Sequence, residues 1–143
     1  MIKAVIFDCF GVVLDIMRGT KIQQTLDLIK DLKPDYQLAM LTNVPSRYSL
    51  DQRFDPGQLD ELFDVVVASG EVGWDKPAPE IFIMTAEKLG VKLEECLFID
   101  DVPSFTAVAR SLGMQSFDYV NKPESITAIK QLLQDSKNRG TPG

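Results

Sequence analysis

Short apolar runs alternate along this chain with longer segments in which apolar residues recur every three or four positions. The runs are mostly apolar at every position, which is typical of strands buried on both faces of a sheet. They predict strands at residues 4–7, 38–41, 65–68, 97–99 and, more weakly, 115–117.

The segments between the runs carry apolar stripes with the period of a helix. Pro34, Gly90 and Gly113 follow the first three stripes and predict where those helices end. The four stripes are Ile22/Leu26/Ile29, Phe82/Ala86/Leu89, Phe105/Val108/Ala109/Leu112 and Ile126/Ile129/Leu133. Strands that alternate with helices predict βαβ units, right-handed crossovers and a mostly parallel α/β sheet.

Composition narrows the class of protein. The chain has 143 residues, enough for one domain, which we place at residues 1–134, with a flexible polar tail at 135–143. A net charge of −6 argues against nucleic acid as a partner. No apolar run is long enough to span a bilayer, and Asp8 interrupts the apolar stretch at the N-terminus, so we expect a cytoplasmic protein without a membrane partner.

Cysteine and histidine limit the possible chemistry. Cys9 and Cys96 both lie in strand-like runs and are expected to be buried free thiols. There is no histidine, which excludes Ser-His-Asp and Cys-His catalysis and histidine-ligated metals. An enzyme with this composition would use carboxylates, lysine, a hydroxyl or a hard metal ion.

Polar residues follow four of the predicted strands. Parallel α/β sheets bind ligands at the carboxyl ends of their strands, so these residues are expected to converge. Carboxylates there can hold Mg²⁺, while a lysine and a hydroxyl can neutralise and orient phosphate oxygens. The residues are Asp8, the pair Thr42-Asn43, Lys76, and the pair Asp100-Asp101.

Each of these residues also has an ordinary structural interpretation. Asp8 could cap a turn, Thr42 could begin a helix, Lys76 could be solvated, and Asp101 could lie at a helix start. For each residue taken alone, the structural interpretation is favoured over a role in a binding site. Taken together, four strand ends that carry a complementary set favour a phosphoryl-binding site.

The same residues lie in four motifs through which the chain resembles the haloacid dehalogenase-like (HAD) superfamily. The resemblance extends from about residue 2 to residue 119, and the motifs occur in the family's order. They are residues 7–12 (FDCFGV), 41–43 (LTN), 76–82 (KPAPEIF) and 98–104 (FIDDVPS).

The resemblance implies a three-layer Rossmann-like fold with a five-stranded sheet in the order 5-4-1-2-3. It implies that Asp8 is the nucleophile and forms an aspartyl-phosphate, with Lys76 and Thr42 as its catalytic partners. Phosphate would be bound by Thr42, Asn43 and Lys76. The implied cofactor is Mg²⁺, held by Asp8, the backbone carbonyl of Phe10, Asp100 and, through water, Asp101.

Phe10 departs from the family's phosphatase pattern, which has an aspartate there as general acid and base. Such a group contributes roughly 10²–10⁴-fold in rate. Three alternatives stay open. The first is a phosphohydrolase limited to good leaving groups, and the second is a catalytically impaired metal- or phosphate-binding regulatory module. The third is a hydrolase acting at carbon, since dehalogenases of the family carry an aromatic residue at this position. The Asp100-Asp101 pair argues against the third.

The second departure is length. Residues 15–33 leave room for one helix where the family usually inserts a cap, and residues 68–76 form only a short loop, so we expect no cap domain. An open rim implies a large substrate, cover by a second subunit, or poor turnover, and Trp74 is compatible with a homodimer. The expected partner is a phosphorylated small molecule or a larger phosphorylated substrate. The leading prediction is a Mg²⁺-dependent phosphohydrolase.

Overall fold

A computed structural model describes residues 1–139 and contains a five-stranded sheet in which all neighbouring strands are parallel. The strands are β1 (Ala4–Phe7), β2 (Gln37–Thr42), β3 (Val65–Ala68), β4 (Cys96–Asp100) and β5 (Gln115–Asp118). Their order is β3-β2-β1-β4-β5. This is the predicted order read from the opposite edge, so the predicted α/β fold class is confirmed.

Four helices correspond to the four predicted stripes, and three shorter helices were not predicted. The long helices are α1 (Gln23–Leu32), α5 (Pro79–Leu89), α6 (Pro103–Ser111) and α7 (Pro123–Arg139). The short ones are α2 (Arg47–Asp51), α3 (Gln58–Leu62) and α4 (Ser69–Val72). The short helices span about one turn each, too little for a repeating apolar stripe to be visible in the sequence.

Two apolar layers enclose the sheet. Side chains of successive strand residues point to opposite faces, so Val5 and Phe7 join one cluster while Ala4 and Ile6 join the other. The first cluster includes apolar residues of α1 and α7, and the second includes those of α5 and α6. Burial on both faces explains why the strand sequences lack alternation. Cys9 and Cys96 are buried and free, as predicted.

Helix α7 extends further than the sequence pattern indicated. We predicted a flexible tail from Asp135, but the helix continues through Arg139. Ser136 is buried, and its Oγ accepts a hydrogen bond of 2.8 Å from the backbone N–H of Ile2. The predicted tail is therefore wrong for residues 135–139, because a small polar side chain finds a buried partner near the N-terminus. Residues 140–143 lie outside the described part of the chain.

The connections at the carboxyl end of the sheet are short. Between β1 and β2 lie a loop of residues 9–21, here called the flap loop, and α1. Between β3 and α5 lie α4 and a short loop that carries Lys76. Within residues 1–139 neither connection contains a further domain. None of the helices in this part of the chain combines the length and hydropathy that a membrane span requires.

Candidate active site

Strand register brings two carboxylates together at the centre of the sheet. In the parallel pair of β1 and β4, Phe7 lies opposite Ile99. The next residues, Asp8 and Asp100, therefore leave their strands side by side, and the backbone N–H of Asp8 donates to the carbonyl of Ile99 at 2.9 Å. Both aspartates are buried. Their position follows from adjacent parallel strands that end at the same level.

Lys76 lies between these two carboxylates. Its Nζ donates to Oδ1 of Asp8 and to Oδ2 of Asp100, at 2.7 Å in each case. The lysine is itself buried, with its Nζ 5.1 Å from the ring centroid of Phe105 and 5.5 Å from that of Phe98. A buried ammonium needs such partners, because an unpaired charge would be costly to desolvate. The predicted approach of Lys76 to Asp8 and Asp100 is what the structure shows.

The side chain of Asn43 holds the backbone of Lys76 in place. Its Oδ1 accepts from the Lys76 N–H at 2.8 Å, and its Nδ2 donates to the Lys76 carbonyl at 3.0 Å. The amide group of Asn43 is thus engaged in positioning the lysine, a role that the sequence did not reveal. The signal that could have suggested it is the residue type, since asparagine amides commonly bond to backbone groups at strand ends.

Thr42 ends the neighbouring strand β2 and is buried at the same edge of the sheet. The register pairs Phe7 with Met40, so Thr42 lies one residue beyond the level of Asp8. All the predicted strand-end residues therefore lie along the carboxyl edge formed by β1, β2 and β4, together with the loop that carries Lys76.

Three carboxylates at this edge fit a divalent cation. Ligand oxygens of Asp8, Asp100 and Asp101 lie within 4.8 Å of one another. Among the described residues, Oδ1 of Asp101 is buried without a hydrogen-bond partner. Three ionised carboxylates together with the Lys76 ammonium would carry a net charge of −2. Hard oxygen donors of this kind suit Mg²⁺, which uses few carboxylates and retains several waters.

Gly11 allows Asp101 to approach the flap loop closely. A Cβ atom on Gly11 would lie 2.0 Å from Oδ2 of Asp101, and the backbone φ there is +93°. Both the close contact and the left-handed backbone require glycine. The position of Asp101 therefore depends on a residue that has no side chain.

Burial opposes ionisation of the carboxylates when no cation is present. The pKa of Asp8 is raised from 3.8 to about 7, chiefly because burial desolvates the carboxylate; Lys76 opposes this rise and Asp100 adds to it. Burial, followed by the hydrogen bond with Asp100, also raises the pKa of Asp101. A bound divalent cation would favour the charged forms, so this site is better suited to a metal complex than to carboxylates alone.

Phe10 places an aromatic ring at the position where the phosphatase pattern of the resembled family has an acid for proton transfer. Its half-buried side chain packs against the apolar cluster that includes Phe7. The guanidinium of Arg53 lies 5.5 Å from the centroid of the Phe10 ring. Arg53 was not among the predicted site residues. No local signal identifies it, because its contact with the flap loop arises only in the folded chain.

The profile of the haloacid dehalogenase-like hydrolases matches residues 20–113. The chain belongs to this family. The HAD resemblance inferred from the four motifs is thus confirmed.

Relatives and solved structures agree with the assignment. A phosphorylated carbohydrates phosphatase from Thermotoga maritima is 31% identical over 94 residues, which cover 66% of this chain and 42% of that protein. A HAD-like family hydrolase from Porphyromonas gingivalis superposes with a TM-score of 0.75 and 27% identity, covering 93% of this chain and 98% of that one.

A third similar protein is a HAD family enzyme from Bacteroides thetaiotaomicron, solved in complex with magnesium and inorganic phosphate. It has a TM-score of 0.68 and 20% identity, with coverage of 82% and 93%. This HAD chain spans less than half the length of the curated relatives it matches.

Proposed function

We propose that this HAD family member is a Mg²⁺-dependent phosphohydrolase that works through an aspartyl-phosphate on Asp8. The observation that carries the proposal is the buried group of Asp8, Asp100 and Lys76, in which one ammonium contacts both carboxylates at 2.7 Å. Asp101 adds a third carboxylate. The phosphatase from Thermotoga maritima and the magnesium and phosphate bound by the Bacteroides enzyme support the same chemistry.

In the first step, a carboxylate oxygen of Asp8 attacks the phosphorus atom, and the bond from phosphorus to the leaving oxygen breaks. The electron pair of that bond goes to the leaving oxygen. Lys76 would offset charge on the phosphoryl oxygens, and the Thr42 hydroxyl would orient them. Mg²⁺ held by Asp8, Asp100, the Phe10 carbonyl and, through water, Asp101 would supply further positive charge there.

In the second step, water attacks the phosphorus of the aspartyl-phosphate. The bond to Asp8 breaks, the carboxylate is restored with the electron pair of that bond, and both protons of the water end on the released phosphate, which can lose one to solvent. Phe10 can neither protonate the leaving oxygen in the first step nor accept a proton in the second. Substrates whose leaving group departs as a stable anion are therefore expected to react best.

The short connections at the carboxyl end of the sheet bear on the size of the substrate. We expect a phosphorylated small molecule, or a larger phosphorylated substrate that itself covers the site. The same proposal includes a homodimer whose second subunit covers the rim. It also includes a cytoplasmic location and no nucleic-acid or membrane partner. A metal- or phosphate-binding regulatory module is the second candidate, and Phe10 is the observation that favours it.

Kinetics on variants of position 10 test the proposal. Wild type, Phe10→Asp and Phe10→Asn would be assayed with acetyl phosphate, 4-nitrophenyl phosphate and glycerol 3-phosphate, with Asp8→Asn as the blank. Wild type should hydrolyse the first two with added Mg²⁺. Phe10→Asp should gain about 10²-fold or more on glycerol 3-phosphate, whereas the non-ionisable Phe10→Asn should not.

Mass spectrometry of acid-quenched wild type would detect phosphate on Asp8. A protein that binds Mg²⁺ but shows neither turnover nor this adduct would be a binding module rather than a hydrolase. Halide release from a haloacid without added metal would instead indicate chemistry at carbon.

A further inference from the structure

Arg53 carries a guanidinium beside the residue that replaces the general acid. Its Cζ lies 5.5 Å from the centre of the Phe10 ring, a distance at which a cation is attracted to an aromatic face. Gly19, in the same flap loop as Phe10, is also close: a Cβ atom on Gly19 would be 3.5 Å from Nη1 of Arg53. The guanidinium thus lies near both Phe10 and Gly19, and Phe10 follows the nucleophile Asp8 by two residues in the chain.

Apart from its contact with the Phe10 ring, the charge of Arg53 has no partner among the described residues. Within residues 1–139 no carboxylate lies within ion-pair distance of the Arg53 guanidinium, and Arg53 is exposed. Arg47, on the nearby helix α2, is different: its Nη2 lies 2.6 Å from Oδ1 of Asp60, and its Nε 3.8 Å from Oδ2 of Asp51. Arg53 is therefore available to a ligand, whereas Arg47 is paired.

We propose that Arg53 binds the leaving group of the substrate, and that this leaving group is an oxyanion, either a carboxylate or a second phosphate. The planar guanidinium matches both anions in a two-point hydrogen-bonded arrangement. This inference rests on the proposed function and adds the substrate class to it. Phe10 and Arg53 then act together: the leaving group needs no proton, and a fixed cation receives its negative charge.

The bond changes require no group other than those named. The Asp8 carboxylate forms a bond to phosphorus, and the phosphorus–oxygen bond of an acyl phosphate or phosphoanhydride breaks. Its electron pair remains on the carboxylate or phosphate that leaves beside Arg53. Water later releases phosphate from Asp8, as in the hydrolysis step described above.

The first test measures binding without turnover. In the Asp8→Asn protein with Mg²⁺, titration calorimetry would compare methylenediphosphonate, which has a second anionic group, with inorganic phosphate, which has none. Arg53→Met should weaken binding of methylenediphosphonate by roughly 10- to 100-fold, the effect of losing a charge-assisted hydrogen bond. Phosphate affinity should change less than about twofold. Arg47→Met is the matched control and should change neither.

The second test uses turnover. Arg53→Met in the otherwise unmodified chain should lower kcat/KM for acetyl phosphate or for pyrophosphate at least about tenfold, with 4-nitrophenyl phosphate affected much less. A loss on acetyl phosphate alone assigns a carboxylate leaving group, and a loss on pyrophosphate alone assigns a phosphate. Arg53→Lys should restore part of the rate, because it returns the charge without the planar fork.

The two proposals fail in different ways. Equal losses for both calorimetric ligands, no loss for either, or no binding of methylenediphosphonate to the Asp8→Asn protein would overturn the role of Arg53. A selective loss of methylenediphosphonate binding, found together with no phosphate adduct on Asp8 in the wild-type chain, would keep the role of Arg53 in binding an anion and reject hydrolysis.

Discussion

At the residue scale, the absence of a side chain on Gly11 leaves the space that the carboxylate of Asp101 occupies. Gly11 lies in the flap loop with φ +93°, and the carboxylate of Asp101 occupies the space that any larger residue would need. The motif that contains Asp8 thereby also determines where Asp101 can lie. Phe10 lies between Asp8 and Gly11 in the chain. In the proposed mechanism it removes a group for proton transfer but no metal ligand, because the predicted ligand at that residue is its backbone carbonyl.

Gly11→Ala should weaken Mg²⁺ binding at least about tenfold, since the new methyl group displaces Asp101. It should also lower the free energy of unfolding by more than the roughly 1–3 kcal/mol expected of left-handed strain alone. Gly113→Ala is the matched control, because Gly113 has φ +96° and no atom within 4 Å of an added Cβ. Calorimetric Mg²⁺ titration and urea unfolding measure both effects. Equal Mg²⁺ affinity in the two variants would disprove the role of Gly11.

At the element scale, the long helices follow from their apolar stripes, but the end of α7 does not. The stripe of Ile126, Ile129 and Leu133 predicts a helix up to about Leu133. The next turn is held by Ser136, whose Oγ satisfies the Ile2 N–H from the other end of the chain. A polar residue that serves this purpose has no hydrophobic signature in the sequence.

Ser136→Ala should therefore lower the free energy of unfolding by about 1–3 kcal/mol, because it leaves a buried N–H unpaired. Ser111→Ala is the control: Ser111 is the last residue of α6, is exposed, and donates only to the nearby carbonyl of Val108. Its effect should stay within about 0.5 kcal/mol. Urea unfolding of the full chain measures the difference, and equal stability of the two variants would show that the Ser136 contact contributes nothing.

At the scale of the whole molecule, the buried carboxylates connect stability to pH and to metal. The pKa of Asp8 is about 7 in the metal-free fold, against an ordinary value of 3.8. Between these pH values the folded chain binds more protons than the unfolded chain, so stability falls as pH rises from about 4 to about 7. Above pH 7 the loss persists, because the carboxylate is then ionised in both states.

We expect the free energy of unfolding in EDTA to show this decline and Mg²⁺ to reverse it. The stabilisation by Mg²⁺ should grow from pH 5 to pH 8, because the metal competes with protons for Asp8. Asp8→Asn removes the titrating group and should show a smaller dependence on pH in EDTA. Thermal unfolding over this range provides the measurement. Identical profiles for wild type and Asp8→Asn would contradict the assignment of the effect to Asp8.

For the candidate site, the sequence predicted which residues lie at the carboxyl edge of the sheet but not which contacts they make there. Asp8, Thr42, Lys76 and Asp100 follow buried strands or the loop after one, and parallel strands end at a common edge. Asn43 was also among the residues predicted from the sequence, as a phosphate ligand, but its contact with the Lys76 backbone could not be predicted. That contact joins residues 33 positions apart, and its geometry depends on how the two loops pack.

The sequence by itself determined the sheet, the four long helices and the family, because strand burial and helix periodicity are local patterns and the four motifs are contiguous. Only the tertiary structure decided that Lys76 contacts two carboxylates, that Asn43 positions it, that Arg53 lies over Phe10, and that Ser136 holds α7 to the N-terminus. These contacts join distant parts of the chain, so their hydrogen bonds, charge pairs and ring contacts exist only once the chain has folded.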